Sequence, residues 1–281
     1  MRTGCAAVLL LAAALAAAPA EARRRKGKAP PAHGEQAAQR CPARCENGPL
    51  FAEAPEPDAI DAEVLGLCPT RAGGRVEPED VRAFFEKHLD DQRLLGAVRE
   101  AAPWANHDSG RAGWLAGIWS GPARRNAFTH LLCGDDWEKD EPGGVHLEAR
   151  FAQLEREGKI CYRGPAGGGP AHDGQPCAGG VCLVRYRGLR GFSCGEKERG
   201  GFAQGLDALD LLAAGTRAYV ACCMGGSLGD RLGQDDRKRL RNGGRYAGPR
   251  GITFQSWCGE RNGRFGIASF YPAPGTADCG P

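Results

Sequence analysis

Twelve cysteines spread from residue 41 to residue 279 constrain this chain more than any other feature. They stand at 41, 45, 68, 133, 161, 177, 182, 194, 222, 223, 258 and 279, behind an N-terminus that reads as an export signal. Arg2 gives that signal a positive start, Ala6 to Ala18 is apolar, and Ala20-Glu21-Ala22 is a small-x-small cleavage site. The apolar run is shorter than the roughly 18 to 20 residues of a membrane span, and no later stretch approaches that length. Cys5, the thirteenth cysteine, precedes the apolar run and is not at a lipid-attachment position. An even number of cysteines behind a secretion signal implies an oxidising compartment, extracellular or periplasmic, and up to six disulfides. The rival is zinc, for which only Cys41-x3-Cys45 and Cys177-x4-Cys182 have near-ligand spacing, without a paired histidine cluster downstream. Adjacent Cys222 and Cys223 are expected to bond two different partners and to pin one strand from both sides. With 43 glycines in the chain, cross-links replace part of the stability of a larger apolar core.

Beyond the signal at residues 1–22, the chain divides by composition. Residues 23–40 are basic and then rich in Pro and Ala, and read as a disordered leader that includes His33. Residues 41–115 form a cysteine-containing, mainly helical N-terminal region. Its first part, 41–70, shows little periodicity and reads as a stapled loop. Pro78 with Glu79 and Asp80 then opens a helix whose Val81, Phe84, Phe85 and Leu89 share one face, and Leu94, Leu95, Val98 and Ala102 mark a second helix before Pro103. His88 and His107 fall at helix ends.

Residues 116–281 form the second region. Here 126–133 reads as a strand, 147–158 as a helix with Leu147, Phe151 and Leu154 inward, and Ile160-Cys161-Tyr162 as a strand. A Gly/Pro loop over 163–181 contains His172. Alternation from Cys182 to Arg187 marks a half-buried strand, Leu206–Ala214 a helix with Asp207 and Asp210 outward, and Tyr219–Cys222 a strand. After a Gly-rich charged excursion over 225–249, two strands (252–257 and 266–271) flank a hairpin. Helices first and antiparallel strands last give an α+β fold.

His130 and His146 stand sixteen residues apart, one after an apolar-aromatic run and the other directly after Pro142-Gly143-Gly144. Two imidazoles on opposite sides of one phosphate suffice to cleave RNA without a metal. One takes the 2'-hydroxyl proton, and the other protonates the leaving oxygen. From Arg185 to Arg264 there are thirteen Arg and two Lys against eight acidic residues, a local excess of seven that suits a polyanion, whereas the whole chain carries only +3.

The stretch around these histidines resembles the EndoU-like endoribonuclease family, which has a first catalytic His in an apolar strand before a Gly and a second after a Gly-rich turn. Here these are Phe128-Thr129-His130-Leu131-Leu132-Cys133-Gly134 and Gly143-Gly144-Val145-His146. Leu154 to Gly164 is similar to the helix and Tyr-x-Gly strand of the animal members. Lys197, before Phe202 and a helix, matches the family lysine of bacterial toxin-type members, and Ser269-Phe270-Tyr271-Pro272 matches the closing Ser-x-Tyr strand. These four pieces cover residues 126 to 272.

The resemblance implies an EndoU-type cleft whose sheets carry His130, His146, Ser269 and Tyr271. His146 would be general base and His130 general acid, with the two roles interchangeable. Lys197 would stabilise the phosphorane, Ser269 would bond a base edge as the family does for uridine, and Tyr271 would stack on base or ribose. Lys159 is the alternative lysine. The implied partner is single-stranded RNA, and the products are a 2',3'-cyclic phosphate and a 5'-hydroxyl. No cofactor is required by the sequence, and manganese enters only through the family. Two rivals share the fold: an antibacterial RNase toxin with an immunity or inhibitor protein, and a non-catalytic cysteine-rich binding protein. A serine hydrolase would need a Gly-x-Ser-x-Gly elbow, which the chain lacks.

Overall fold

The computed structural model describes residues 44–70, 74–103, 107–121, 126–135, 143–166, 176–189, 194–224, 240–261 and 264–279. The expected signal, the leader with His33, and residues 167–175 of the expected Gly/Pro loop, His172 among them, lie outside these residues, whereas both ends of that loop are strand.

Among the described residues four helices come first. Asp58 caps α1 (Ala59–Leu67) by accepting from the Asp61 backbone N–H, so the segment read as a stapled loop holds a helix. The capping aspartate was the signal for it, masked by the prolines around it. Pro78 begins α2 (Pro78–His88), which buries Val81, Phe84 and Phe85. Asp91 caps α3 (Gln92–Ala101), and His107 caps α4 (Asp108–Ser120), whose Trp119 donates to the Thr216 hydroxyl at 3.1 Å. His88 bonds Glu63 at 3.0 Å, in keeping with its helix-end reading.

Two apolar runs expected as strands are π-helical turns instead: Thr129–Cys133 and Tyr219–Met224. The second directly continues the helix before it, because nothing between Ala218 and Tyr219 breaks that helix. A five- or six-residue apolar run carries too little periodicity to separate strand from buried helix. Between the turns lie α5 (Glu148–Arg156), β1 (Ile160–Pro165), β2 (Cys177–Ala178), β3 (Val181–Gly188), β4 (Glu196–Ala203) and α6 (Ala208–Ala218). The chain closes with β5 (Leu240–Ala247), β6 (Thr253–Arg261) and β7 (Arg264–Pro272), so the end of the expected excursion is a strand.

Both sheets are antiparallel. In the first, β3 is central, pairing β1, β2 and β4; in the second the order is β5-β6-β7. Register sets which side chains meet. Leu183 lies opposite Gly201 and Tyr186 opposite Lys197, with a bulge between, while Trp257 lies opposite Ser269 and Gln255 opposite Tyr271.

One apolar cluster runs from Val64 through Phe85, Trp119 and Leu132 to Phe270, and so joins the N-terminal helices to the second sheet. A smaller one packs Val145, Phe151, Tyr186 and Phe202 between α5 and the first sheet.

Five disulfides join described residues: Cys45–Cys161, Cys68–Cys133, Cys177–Cys182, Cys222–Cys279 and Cys223–Cys258. Cys194 is also disulfide-bonded. Cys222 and Cys223 do take separate partners, although what they pin is a π-turn. Cys177 and Cys182 close a hairpin rather than a zinc site. No helix among the described residues is long and apolar enough to cross a membrane.

Candidate active site

The first histidine is placed from both ends of its turn. Asn126 accepts from the Thr129 N–H at 3.0 Å and donates to the Val76 carbonyl at 2.8 Å, while the Val76 N–H donates to the Thr129 hydroxyl at 3.0 Å. Asn126 is thus a helix-start cap, and it ties the turn to the N-terminal region. At the far end Gly134 turns back with φ 82°, and the Asp135 carboxylate meets His130 Nδ1 at 2.6 Å. A carboxylate on Nδ1 fixes the tautomer and complements the charge of an imidazolium. His130 is therefore carried by a π-turn and not by a sheet.

His146 is set by the chain's own return. Asp135 and Gly143 exchange backbone bonds at 3.0 and 2.9 Å. Gly144 (φ 71°) and Val145 (φ 64°) then turn the backbone so that Val145 N–H donates to the His130 carbonyl at 3.1 Å and His146 N–H to the Leu131 carbonyl at 2.7 Å. A Cβ on Gly144 would stand 2.0 Å from the His130 carbonyl oxygen, so no other residue fits there. The left-handed conformation of a β-branched valine is unfavourable, and such backbone strain clusters at functional sites. His146 Nδ1 donates to the Gly201 carbonyl at 2.5 Å, which again fixes the tautomer. His146 lies just before α5 and outside any strand, so neither histidine sits on a strand.

The rings lie 5.7 Å apart, centroid to centroid, at 64°. They are 6 % and 7 % exposed, and among the described residues neither makes a further hydrogen bond, so Nε2 is the nitrogen each leaves for a substrate. Tyr271 stacks on His146 with centroids 5.5 Å apart and planes 26° from parallel. Ser269 lies two residues earlier on the same face of β7, and both are half-buried. The Lys197 ammonium is close enough to oppose protonation of His146. Desolvation, helped by His130 and then Lys197 and resisted by the Gly201 bond and Asp135, pushes His146 down to about 3. A buried imidazole is costly to charge, so this ring is neutral across the physiological range.

His130, His146 and Tyr271 thus converge; Ser269 lies two residues from Tyr271 on β7, and Lys197 acts on His146 through its charge. Lys159, the alternative lysine, pairs with Glu157 at 2.7 Å. Three site residues escaped the sequence reading. Asp135 looked like half of a turn pair, Gly201 acts only through its carbonyl, and Trp257, whose Nε1 donates to the Tyr271 hydroxyl at 3.3 Å, reaches the site only through the β6–β7 register. Among the described residues no group of three or more His, Cys, Asp or Glu side chains could hold a metal ion.

No family model matches the chain, and no curated protein matches it. Solved structures do. The chain is similar to XendoU, described as a splicing-independent snoRNA-processing endoribonuclease, at 16 % identity and a TM-score of 0.50, over 85 % of this chain and 89 % of that one. Nsp15, an endoribonuclease of Middle East Respiratory Syndrome Coronavirus, matches at 15 % identity and a TM-score of 0.32, over 73 % of this chain and 44 % of that one. The fold is EndoU-like, with helices followed by antiparallel sheets.

Proposed function

We propose that the protein is a secreted endoribonuclease that cuts single-stranded RNA, at uridines, by attack of the 2'-hydroxyl on the adjacent phosphorus. The reading is carried by two imidazoles 5.7 Å apart, each with Nδ1 committed to a fixed acceptor so that both offer Nε2. The likeness to XendoU supports it at the level of the fold.

His146, kept neutral by burial, accepts the 2'-hydroxyl proton at Nε2. An anionic phosphodiester beside it raises its basicity from the free-protein value. His130, backed by Asp135, donates from Nε2 to the 5'-oxygen as the P–O5' bond breaks. The products are a 2',3'-cyclic phosphate and a 5'-hydroxyl. Lys197 stabilises charge on the phosphorane oxygens, where low exposure of the site strengthens every electrostatic contact. Ser269 bonds a base edge, and Tyr271 stacks on the base or ribose. Trp257, bonded to Tyr271 along the same face, extends that platform to a second base. Every step runs through side chains, and a manganese requirement has no cluster of ligands behind it among the described residues. The disulfides support export to an oxidising compartment. An exported antibacterial toxin with an inhibitor protein would share this chemistry and differ in its target.

The test is an oligonucleotide with a single uridine, its products identified by mass. Wild type is expected to leave a cyclic phosphate at that uridine. His130→Ala and His146→Ala should each fall by about 10² to 10⁴ in rate. The small exposure of both rings favours one other reading, a non-catalytic protein that keeps the fold. Intact RNA, together with imidazoles that resist diethylpyrocarbonate, would establish that reading instead.

A further inference from the structure

Of the last four carbonyls of the His130 turn, which a five-residue helix cannot pair internally, three have partners from the chain that follows. The carbonyls of His130 and Leu131 accept from the backbone of Val145 and His146. The carbonyl of Cys133 accepts from a side chain, Arg150 Nε, at 3.2 Å. Arg150 lies on α5, one helical turn beyond His146, and is 3 % exposed. Its other partner is the Gln153 amide oxygen, at 2.6 Å from the Arg150 Nη1.

Among the described residues no carboxylate lies within ion-pair reach of this guanidinium; Glu157 acts only at longer range. Burial pushes it down to about 10, so it remains a cation at neutral pH. An arginine buried without an acid is expensive to keep, and one backbone carbonyl could be satisfied by a neutral donor. What the planar fork adds is geometry. Two N–H groups split between Cys133 and Gln153 fix the rotation of the guanidinium and with it the height of the turn. On its other side Cys133 is bonded to Cys68. The turn is therefore gripped by one residue from two directions, and His130 and Asp135 lie three and two residues from the grip.

We infer that Arg150 is a positioning residue, which holds the end of the His130 turn against the helix that follows His146 and so sets the spacing of the two imidazoles. The kinetic consequence rests on the nuclease reading; the structural one does not. A shift near 1 Å in a reacting group can cost on the order of 10²-fold in rate, so a slackened turn should appear in kcat and not in KM.

The experiment compares wild type with Arg150→Met, which removes both donors, and Arg150→Lys, which restores one. Gln153→Leu, which leaves Arg150 in place but unaimed, serves where Arg150→Met does not fold. Two readouts are taken: kcat and KM on the single-uridine oligonucleotide, and the low-field proton resonance of His130 Nδ1–H against Asp135. Arg150→Met should lower kcat at least ~30-fold with KM within ~3-fold, Arg150→Lys should recover part of it, and Gln153→Leu should lose ~3- to 10-fold. In each weakened variant the His130 resonance should shift or broaden. Unchanged kcat, a change confined to KM, or an unmoved resonance in a folded variant overturns the inference. If wild-type protein leaves RNA intact, the nuclease reading has failed, and the resonance alone then decides the role of Arg150.

Discussion

Burying His146 ties its protonation to folding, and the sign follows from the direction of its shift. Its folded value is depressed to about 3 from an ordinary 6.5, so between these values the unfolded chain binds the extra proton. Stability from this group is complete above about pH 6.5 and is lost progressively as pH falls towards 3. From about pH 7 to about pH 5 the native protein should lose about 2 kcal/mol through this residue, at 1.36 kcal/mol per pKa unit. The total curve is not diagnostic, because Asp61 works the other way. Desolvation raises Asp61 to about 7, so its contribution is lost as pH rises from its ordinary 3.8 to about 7.

A difference measurement isolates the histidine. Urea unfolding of the oxidised protein, followed by tryptophan fluorescence at both pH values, is compared with His146→Gln, which keeps an N–H for the Gly201 carbonyl but cannot titrate. Wild type should lose about 2 kcal/mol more than the variant on acidification. A difference below about 0.5 kcal/mol would show that the native ring takes up a proton as freely as the unfolded one. In that case the reasoning that burial keeps it neutral, and therefore fit to act as base, is wrong.

Lys197→Met should leave the fold intact and reduce kcat about 10²- to 10³-fold, measured on the same oligonucleotide, if the ammonium faces the phosphorane. Trp257→Ala should raise KM for oligonucleotides longer than a dinucleotide, corresponding to about 1 to 3 kcal/mol for one stacked base, with little change for a dinucleotide. Cys68–Cys133 and Cys45–Cys161 close loops of 65 and 116 residues, so removing either costs a similar amount, about 4 to 5 kcal/mol. At a temperature where both double Cys→Ala variants stay folded, only the loss of Cys68–Cys133 should depress kcat, because it alone grips the His130 turn.

Helices with an amphipathic face were plain in the sequence. Val81, Phe84, Phe85 and Leu89 repeat at helical spacing, and all are buried on one side of α2 and its end. The closing pair of strands, read at 252–257 and 266–271 about a Gly-rich hairpin, is also found, as β6 and β7. The two misread runs are short and lack a readable period: Phe128 to Cys133 is buried throughout, Thr129 and His130 included, and Tyr219 to Cys222 holds only Tyr, Val, Ala and Cys, with Val220 and Ala221 partly buried. Uniform burial, or so short a length, erases the period that a reader of sequence depends on. For the first run a second signal existed, in Asn126. An asparagine three residues before Thr129 is a helix cap, and its meaning is hidden only while the run is taken for a strand.

The same contrast explains which site residues could be found. His130 and His146 are close because their own backbones exchange hydrogen bonds: Val145 and His146 donate to His130 and Leu131. Their proximity is a property of one short stretch, so motif and spacing could reveal it. Lys197 is brought in through its pairing opposite Tyr186, whose hydroxyl in turn donates to the Gly144 carbonyl at 3.2 Å, and Trp257 through its place opposite Ser269. These placements depend on strand register, with a bulge in each ladder, and a one-residue slip would turn either side chain to the opposite face. The proposed acid–base pair is thus written locally, and the residues proposed to hold charge and bases around it are written in the pairing of distant strands.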